Sequence, residues 1–598
     1  MKKRYHLCEL TQLLVSVACG KTKAELVIQN GTLVNVCTHE LMPHMDVAIA
    51  YGHIALVGDA SHTIGPDTTL IDATGLYIAP GFIDGHLHVE SSMVTVKEYA
   101  KAVLPHGTTT IMMDPHEIAN ILGMKGVDLM VEEGRHLPLN VYATMPSCVP
   151  AAEGFETNGA NLSSKDIAEG LSSDAIIGLG EMMNYPGVLN GNEKVHAALK
   201  ATLEQHKIIT GHYPVCDEGG KGINAYIASG ARCCHETTRM EDALAKMRLG
   251  MHVQMREGSA WCDLKEVAKA ITTQNIDSRF ASLVSDDMHP DTLLHQGHMD
   301  YIVRRAIQEG IDPITAIQMA TLNAAQCFML DHELGSVTPG KYADLVLLHD
   351  LKQIHVAYTI ANGECVAKDG KLITKLTKTT YPAFAKQTMC ISKNFTAEDF
   401  KIKVPEHYSS AVAKVHVIGI IEKLATTHHQ IGTLPVCCGE LTSDLTQDFI
   451  KLTVIDRHSG KATMGKGFAN GFKLQSGAVA ATIAHDAHNL SVLGTNDEDM
   501  ALATNTLVQC GGGQVVVQNG HVLALNPLPV AGLMSEDPIE EVAKRVAQID
   551  EAWKTIGCPI ASPFMTMALL SLAVIPELRL TNKGLIDTQS FKPIDLII

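Results

Sequence analysis

No Cys-x-x-Cys pair occurs in this chain, and its fifteen cysteines, two adjacent pairs among them (Cys233-Cys234 and Cys437-Cys438), follow no regular spacing. That argues against a thiolate zinc knuckle or a disulfide framework, and reduced thiols in the cytoplasm are the expectation. Apolar runs of membrane-spanning length are missing as well. Lys2-Lys3-Arg4 ahead of residues 13–20 imitates a secretory leader. Glu9, Thr11 and Gln12 interrupt that run, however, and the same residues read as an amphipathic helix closed by Gly20, within an N-terminal helical segment of residues 1–23. Basic charge is in deficit, with 47 Lys and Arg against 65 Asp and Glu and a formal net charge of -18. Such a surface disfavours nucleic acid and anionic membranes as partners. Tandem repeats, low-complexity segments and a phosphate-cradling loop are also lacking. The expectation that remains is a soluble enzyme of small molecules, assembled as a homo-oligomer.

What is present begins with length. At 598 residues the chain exceeds one ordinary core, and domain sizes suggest roughly three to four units. Short alternating runs start at Ala24, with Asn30-Gly31 as a turn signal between the first two, and the same kind of strand resumes at Gly335-Ser336-Val337. A small β-domain of residues 24–75 and 335–378 is therefore interrupted by residues 76–334. In that insert, strands alternate with helical patterns in eight units ending near Gly81, Met113, Ala143, Gly180, Thr210, Cys234, Val253 and Val284. Eight βα units predict a TIM-like (β/α)8 barrel in an α/β protein. Residues 379–598 read as a separate C-terminal α+β domain.

The strand ends carry the chemistry. His86 and His88 stand two residues apart after an apolar run from residue 76 to 83, so an extended chain points both imidazoles the same way. Asp114 to Glu117, Glu181, His212, His235, Glu257 and Asp286-Asp287 close other strands, and in a TIM barrel the C-terminal strand ends form the site. Four histidines and two carboxylates exceed the needs of one metal ion and suit two. Nitrogen and oxygen donors without thiolate admit manganese, iron or zinc. Strand alternation sends Asp286 and Asp287 to opposite sides. His485, Asp486, His488 and Asn489 form a further polar cluster, read as a buried hydrogen-bonded turn, with a lid or an extra metal site as alternatives.

Pro80-Gly81-Phe82-Ile83-Asp84-Gly85-His86-Leu87-His88 resembles the first-strand signature of the amidohydrolase superfamily. Gly340-Lys341-Tyr342-Ala343-Asp344-Leu345-Val346 resembles an element of the same superfamily's flanking β-segment, and residues 88–93, 113–120 and 477–497 extend the likeness nearly end to end, to the family of bacterial adenine deaminases. The resemblance implies that the split β-segments form a discontinuous β-sandwich beside the barrel. It further implies that His86, His88 and Asp286 hold one divalent metal, that His212 and His235 hold a second, manganese foremost, and that Glu181 bridges them where many relatives use a carboxylated lysine. Hydroxide generated between the metals would attack C6 of adenine, giving hypoxanthine and ammonia, with Asp286 moving the proton. Glu90, His116 and Glu117 are candidates for holding the purine or shuttling a second proton, His116 before the others. Another amidohydrolase activity, such as cyclic amide hydrolysis or deacetylation, and a non-catalytic scaffold are the alternatives.

Overall fold

The computed structural model describes residues 4–259, 261–377, 379–406, 408–422 and 424–598. Lys2 and Lys3 of the leader-like start, and residue 378 at the expected end of the flanking β-segment, lie outside them. Among the described residues, no helix is long and apolar enough to cross a membrane.

Eight parallel strands form the barrel: Phe82–Leu87, Thr108–Met113, Asn140–Met145, Ile176–Met182, Ile208–Gly211, Ala231–Cys234, His252–Arg256 and Ala281–Val284. They pair in chain order. Nearly every residue in them is buried, as expected of parallel strands covered on both faces. The first and eighth strands meet through a single parallel bridge, Leu87 to Asp286, in which the Asp286 N–H donates to the His86 carbonyl at 3.0 Å. The barrel therefore closes at the motif that the sequence marks as the site.

The apolar run of residues 76–83 is not one strand. Tyr77–Pro80 lies in the neighbouring nine-stranded sheet, parallel to Leu26–Asn35 and antiparallel to Leu345–Leu348, and the barrel strand begins only at Phe82 and ends at Leu87, six residues beyond the expected end near Gly81. Gly81 makes the crossing possible, because a Cβ there would sit 2.2 Å from Thr109 Oγ1. Hydrophobicity alone could not reveal the junction, since both pieces are buried. Tyr77–Pro80 thus joins the two chain segments of the flanking sheet, whose core includes Leu26, Ile28, Val47, Leu345 and Ile360.

The C-terminal region is built on an eight-stranded sheet. Alternation explains its two layers: Ala478, Ala480, Val515 and Val517 pack with the helix Asp497–Cys510, while Val479, Ala481 and Val516 pack with the helix Ile539–Thr555. This sheet is docked on the barrel mouth. Ser535 donates its N–H to the Met93 carbonyl at 2.9 Å, Asn489 Nδ2 donates to the Thr157 carbonyl at 2.9 Å, and Leu528, Val530 and Met534 join the barrel's own core.

Candidate metal centre and active site

The first barrel strand shifts register against the second between Asp84 and Leu87, the kind of irregularity that re-aims a side chain at a strand end. Asp84 holds the place: fully buried, it accepts from the Ser285 N–H at 3.2 Å and the Ser285 hydroxyl at 2.5 Å, with His298 Nε2 3.1 Å away. His86 and His88 follow, 3% and 5% exposed. His88 Nδ1 donates to the Asp114 carbonyl at 2.9 Å, which fixes the tautomer and turns the lone pair of Nε2 inward, the arrangement metal-binding histidines need. That Nε2 lies 3.5 Å from Glu181 Oε1 and 3.3 Å from Asp286 Oδ1.

Glu181 ends the fourth strand at the centre of the cluster. His212 Nδ1 and His235 Nε2 reach its Oε2 at 2.8 and 3.1 Å, and His116 Nδ1 stands 3.3 Å from its Oε1. The Glu181 N–H donates to Asp114 Oδ2 at 2.8 Å. Gly180 permits that approach, since a Cβ would lie 2.5 Å from the same oxygen. The His86 and His235 rings stack with centroids 3.8 Å apart. Candidate donor atoms converge within 4.8 Å in overlapping groups: His86, His88 and Glu181; His86, His235 and Asp286; Glu181, His212 and His235.

The electrostatics suit a cation. Burial would raise the Glu181 carboxyl, but His235 and His212 overcome it and hold it well below the usual range. Burial acts the same way on Asp286, where His88 and Arg256 prevail. Burial, then His235, pushes His86 down to about 3, leaving a neutral imidazole whose Nε2 is buried without a hydrogen-bond partner among the described residues. Two buried anions ringed by imidazoles, with His86 Nε2 left unpartnered among the described residues, form a donor set that fits divalent metal.

Asp286 and Asp287 do not diverge as strand alternation predicts. The eighth strand ends at Val284 and Asp286 adopts φ +61°, so the extended-chain rule lapses there, and both aspartates come within reach of His88. Their partners differ. Arg256 Nη1 donates to Asp286 Oδ2 at 2.7 Å, whereas Ser91 donates to Asp287 Oδ1 at 2.5 Å. Glu257 turns away to Arg305 at 3.1 Å. The preceding Arg256 faces the site instead, an outcome hidden in sequence because both residues end one strand.

Glu90 and Glu117, each 1% exposed, flank the cluster. Glu90 Oε1 accepts the Ile118 N–H at 3.1 Å, and Glu117 Oε1 lies 3.3 Å from the Ser91 hydroxyl oxygen. Burial raises both carboxyls, Glu117 well above the usual range, where the charge of Glu90 adds to it. The C-terminal domain adds two residues: Asp486 Oδ1 stands 3.8 Å from His116 Nε2, and His485 Nδ1 stands 3.8 Å from Glu117 Oε1. The whole arrangement is a buried cluster of imidazoles and carboxyls suited to activating water.

Two family descriptions match the chain, the amidohydrolase family over residues 77–366 and the adenine deaminase C-terminal domain over residues 424–592. Among curated proteins, the adenine deaminase of Clostridium botulinum (strain ATCC 19397 / Type A) is 55% identical over 99% of this chain and 98% of its own. That of Moorella thermoacetica is 52% identical over 99% of both. The solved structure of an adenosine deaminase from Xanthomonas campestris with bound zinc overlaps 59% of this chain and 95% of its own, at a TM-score of 0.45 and 14% identity. Barrel and C-terminal domain together, matched from end to end at more than half identity, place this chain in the adenine deaminase family of amidohydrolases.

Proposed function

We propose that this protein hydrolyses adenine to hypoxanthine and ammonia in cytoplasmic purine salvage or catabolism, as a homo-oligomer carrying two divalent cations per chain, manganese ahead of iron or zinc. One observation carries the substrate: identity of 55% to a protein named adenine deaminase across 99% of the chain. His86, His88 and Asp286 would hold one cation and His212 and His235 the other, with Glu181 shared between them. Bound there, the pair would lower the pKa of water towards neutrality and supply positive charge to the reaction.

The chain's own residues supply the rest. Water adds to C6, the C–O bond forms and the C6–amino bond breaks, so both protons of the water must leave its oxygen, one reaching the ring nitrogen beside C6 and the other the amino group that departs as ammonia. Asp286 Oδ1 would take the first, its other oxygen being occupied by Arg256. His116, beside Glu181, would move the second. Glu117, whose carboxyl burial and the charge of Glu90 push well above the usual range, can donate to a ring nitrogen of the purine, and Glu90 can accept from it. Burial of the site under the C-terminal domain excludes bulk water, which strengthens each of these contacts.

The test is turnover of adenine by manganese-loaded protein, followed as hypoxanthine and ammonia in equal amounts. Ammonia release from other amino-substituted heterocycles, with none from adenine, would reassign the substrate.

A further inference from the structure

Residues 484–489 leave the C-terminal sheet after the strand Ala478–Ala481 and enter the barrel mouth. Their backbone is pinned from behind. The His485 N–H donates to the Ala568 carbonyl at 3.0 Å, Ser571 donates to the His485 carbonyl at 3.1 Å, and fully buried Arg457 donates to the His488 carbonyl at 2.5 Å. So anchored, the turn brings Asp486 to His116 and His485 to Glu117, and His488 joins His485 and Glu117 in a group whose donor atoms lie within 4.8 Å of one another. Asp486, 2% exposed, approaches His116 and His485 only at 3.8 and 3.7 Å, beyond hydrogen-bond range. Its Oδ2 has no hydrogen-bond partner among the described residues. His488, 0% exposed, accepts the Ala484 N–H on Nδ1 at 3.2 Å. A neutral ring must then carry its proton on Nε2, and that nitrogen also lacks a partner among the described residues. Burial, with His485 and Arg457 nearby, keeps this ring neutral.

One turn thus buries an unpaired acceptor and an unpaired donor two residues apart. Each is costly without a partner. The tautomer speaks against a third metal at Glu117, His485 and His488, because the nitrogen left open on His488 carries hydrogen. A free purine base offers the complement on its imidazole side: one ring N–H, and ring nitrogens that accept. A nucleoside has lost that N–H to its sugar.

Taking adenine as the substrate proposed above, we propose that the 484–489 turn of the C-terminal domain reads the unsubstituted imidazole edge of the purine, Asp486 accepting the ring N–H and His488 donating to a neighbouring ring nitrogen. The extra domain then selects free base over N9-substituted purine.

Adenine and 9-methyladenine, which lacks the ring N–H, separate the two contacts. Asp486→Ala should lower kcat/KM for adenine by about 10- to 100-fold, the usual cost of losing a buried charged hydrogen bond, mainly through KM, and leave 9-methyladenine unchanged. Asp486→Asn, which keeps a carbonyl acceptor, should recover part of the loss, and His488→Phe should weaken both purines alike. An equal fall in kcat for both purines in Asp486→Ala, with KM unchanged, would assign Asp486 to His116 and overturn the proposal. Should wild-type protein fail to deaminate adenine, the functional assignment falls on its own. Calorimetric binding of the same two purines to wild type and Asp486→Ala then decides the edge contact, equal affinity losses overturning it. Circular dichroism checks folding, and if Asp486→Ala does not fold, Asp486→Asn must still narrow the discrimination between the two purines.

Discussion

Arg256 Nη1 donates to Asp286 Oδ2 at 2.7 Å, so only Oδ1 of that carboxylate is left to face His88 at 3.3 Å and His86 at 3.8 Å. A carboxylate held by one oxygen cannot rotate away from the site, which suits the role of base proposed for it. Asp286→Asn keeps the shape and removes the basic oxygen, and kcat should fall about a hundred- to ten-thousand-fold, the usual share of a general acid-base group. Asp287→Asn, which weakens the contact with Ser91, should cost less. Both variants need metal content measured alongside turnover, because Asp286 can fail as ligand or as base. An inactive Asp287→Asn with an active Asp286→Asn at equal metal content would transfer the role to Asp287.

Glu181 touches His88, His116, His212 and His235 within 3.5 Å. Its charge would offset repulsion between two dications, so wild type should hold about two ions per chain and Glu181→Gln fewer, with activity falling in step. Elemental analysis by mass spectrometry reads both numbers. Two ions and full turnover in Glu181→Gln would remove it from the bridging position.

Chelation should abolish turnover and leave far-ultraviolet circular dichroism unchanged. The strands bearing the candidate ligands are held by an apolar core, with Leu87, Met113, Leu179 and Leu283 almost wholly buried, so the scaffold should not depend on metal as a small zinc domain does. The melting temperature should still fall, because a ligand that binds only the folded state stabilises it. Collapse of the far-ultraviolet spectrum on chelation would contradict this.

That His86, His88, Glu181, His212, His235 and Asp286 come together is legible in the sequence, because a barrel puts strand ends in one place and apolar runs broken by His or a carboxylate mark those ends. The place of Arg256 is not. Its strand, His252–Arg256, also precedes Glu257, and no periodicity tells which of two charged neighbours turns inward. Asp486 reads in the sequence as part of a polar turn, but nothing local reveals that a residue on a distant sheet comes 3.8 Å from His116. The junction at Gly81 and the left-handed Asp286 mark the limits of strand reasoning: one joins two buried strands without a polar break, and the other ends alternation one residue before it was needed.

Glu156 offers a prediction that involves no metal. It is buried, with Oε1 accepting the Ala152 N–H at 3.2 Å, and burial, then the nearby Asp486, pushes its carboxyl from 4.5 up to about 8. Below 4.5 the group is protonated in both folded and unfolded chains and contributes no pH dependence. Between 4.5 and about 8 the unfolded chain has released the proton and the folded chain has kept it, so stability falls as pH rises, by up to about 1.4 kcal/mol per pH unit. Above the folded value the loss levels off. Glu156→Gln has no proton to release and should escape this loss. Scanning calorimetry of both proteins at about pH 5, 6.5 and 8 should show the variant gaining on wild type with each step. A constant gap across the three would mean that Glu156 ionises in the folded protein as it does in the unfolded chain.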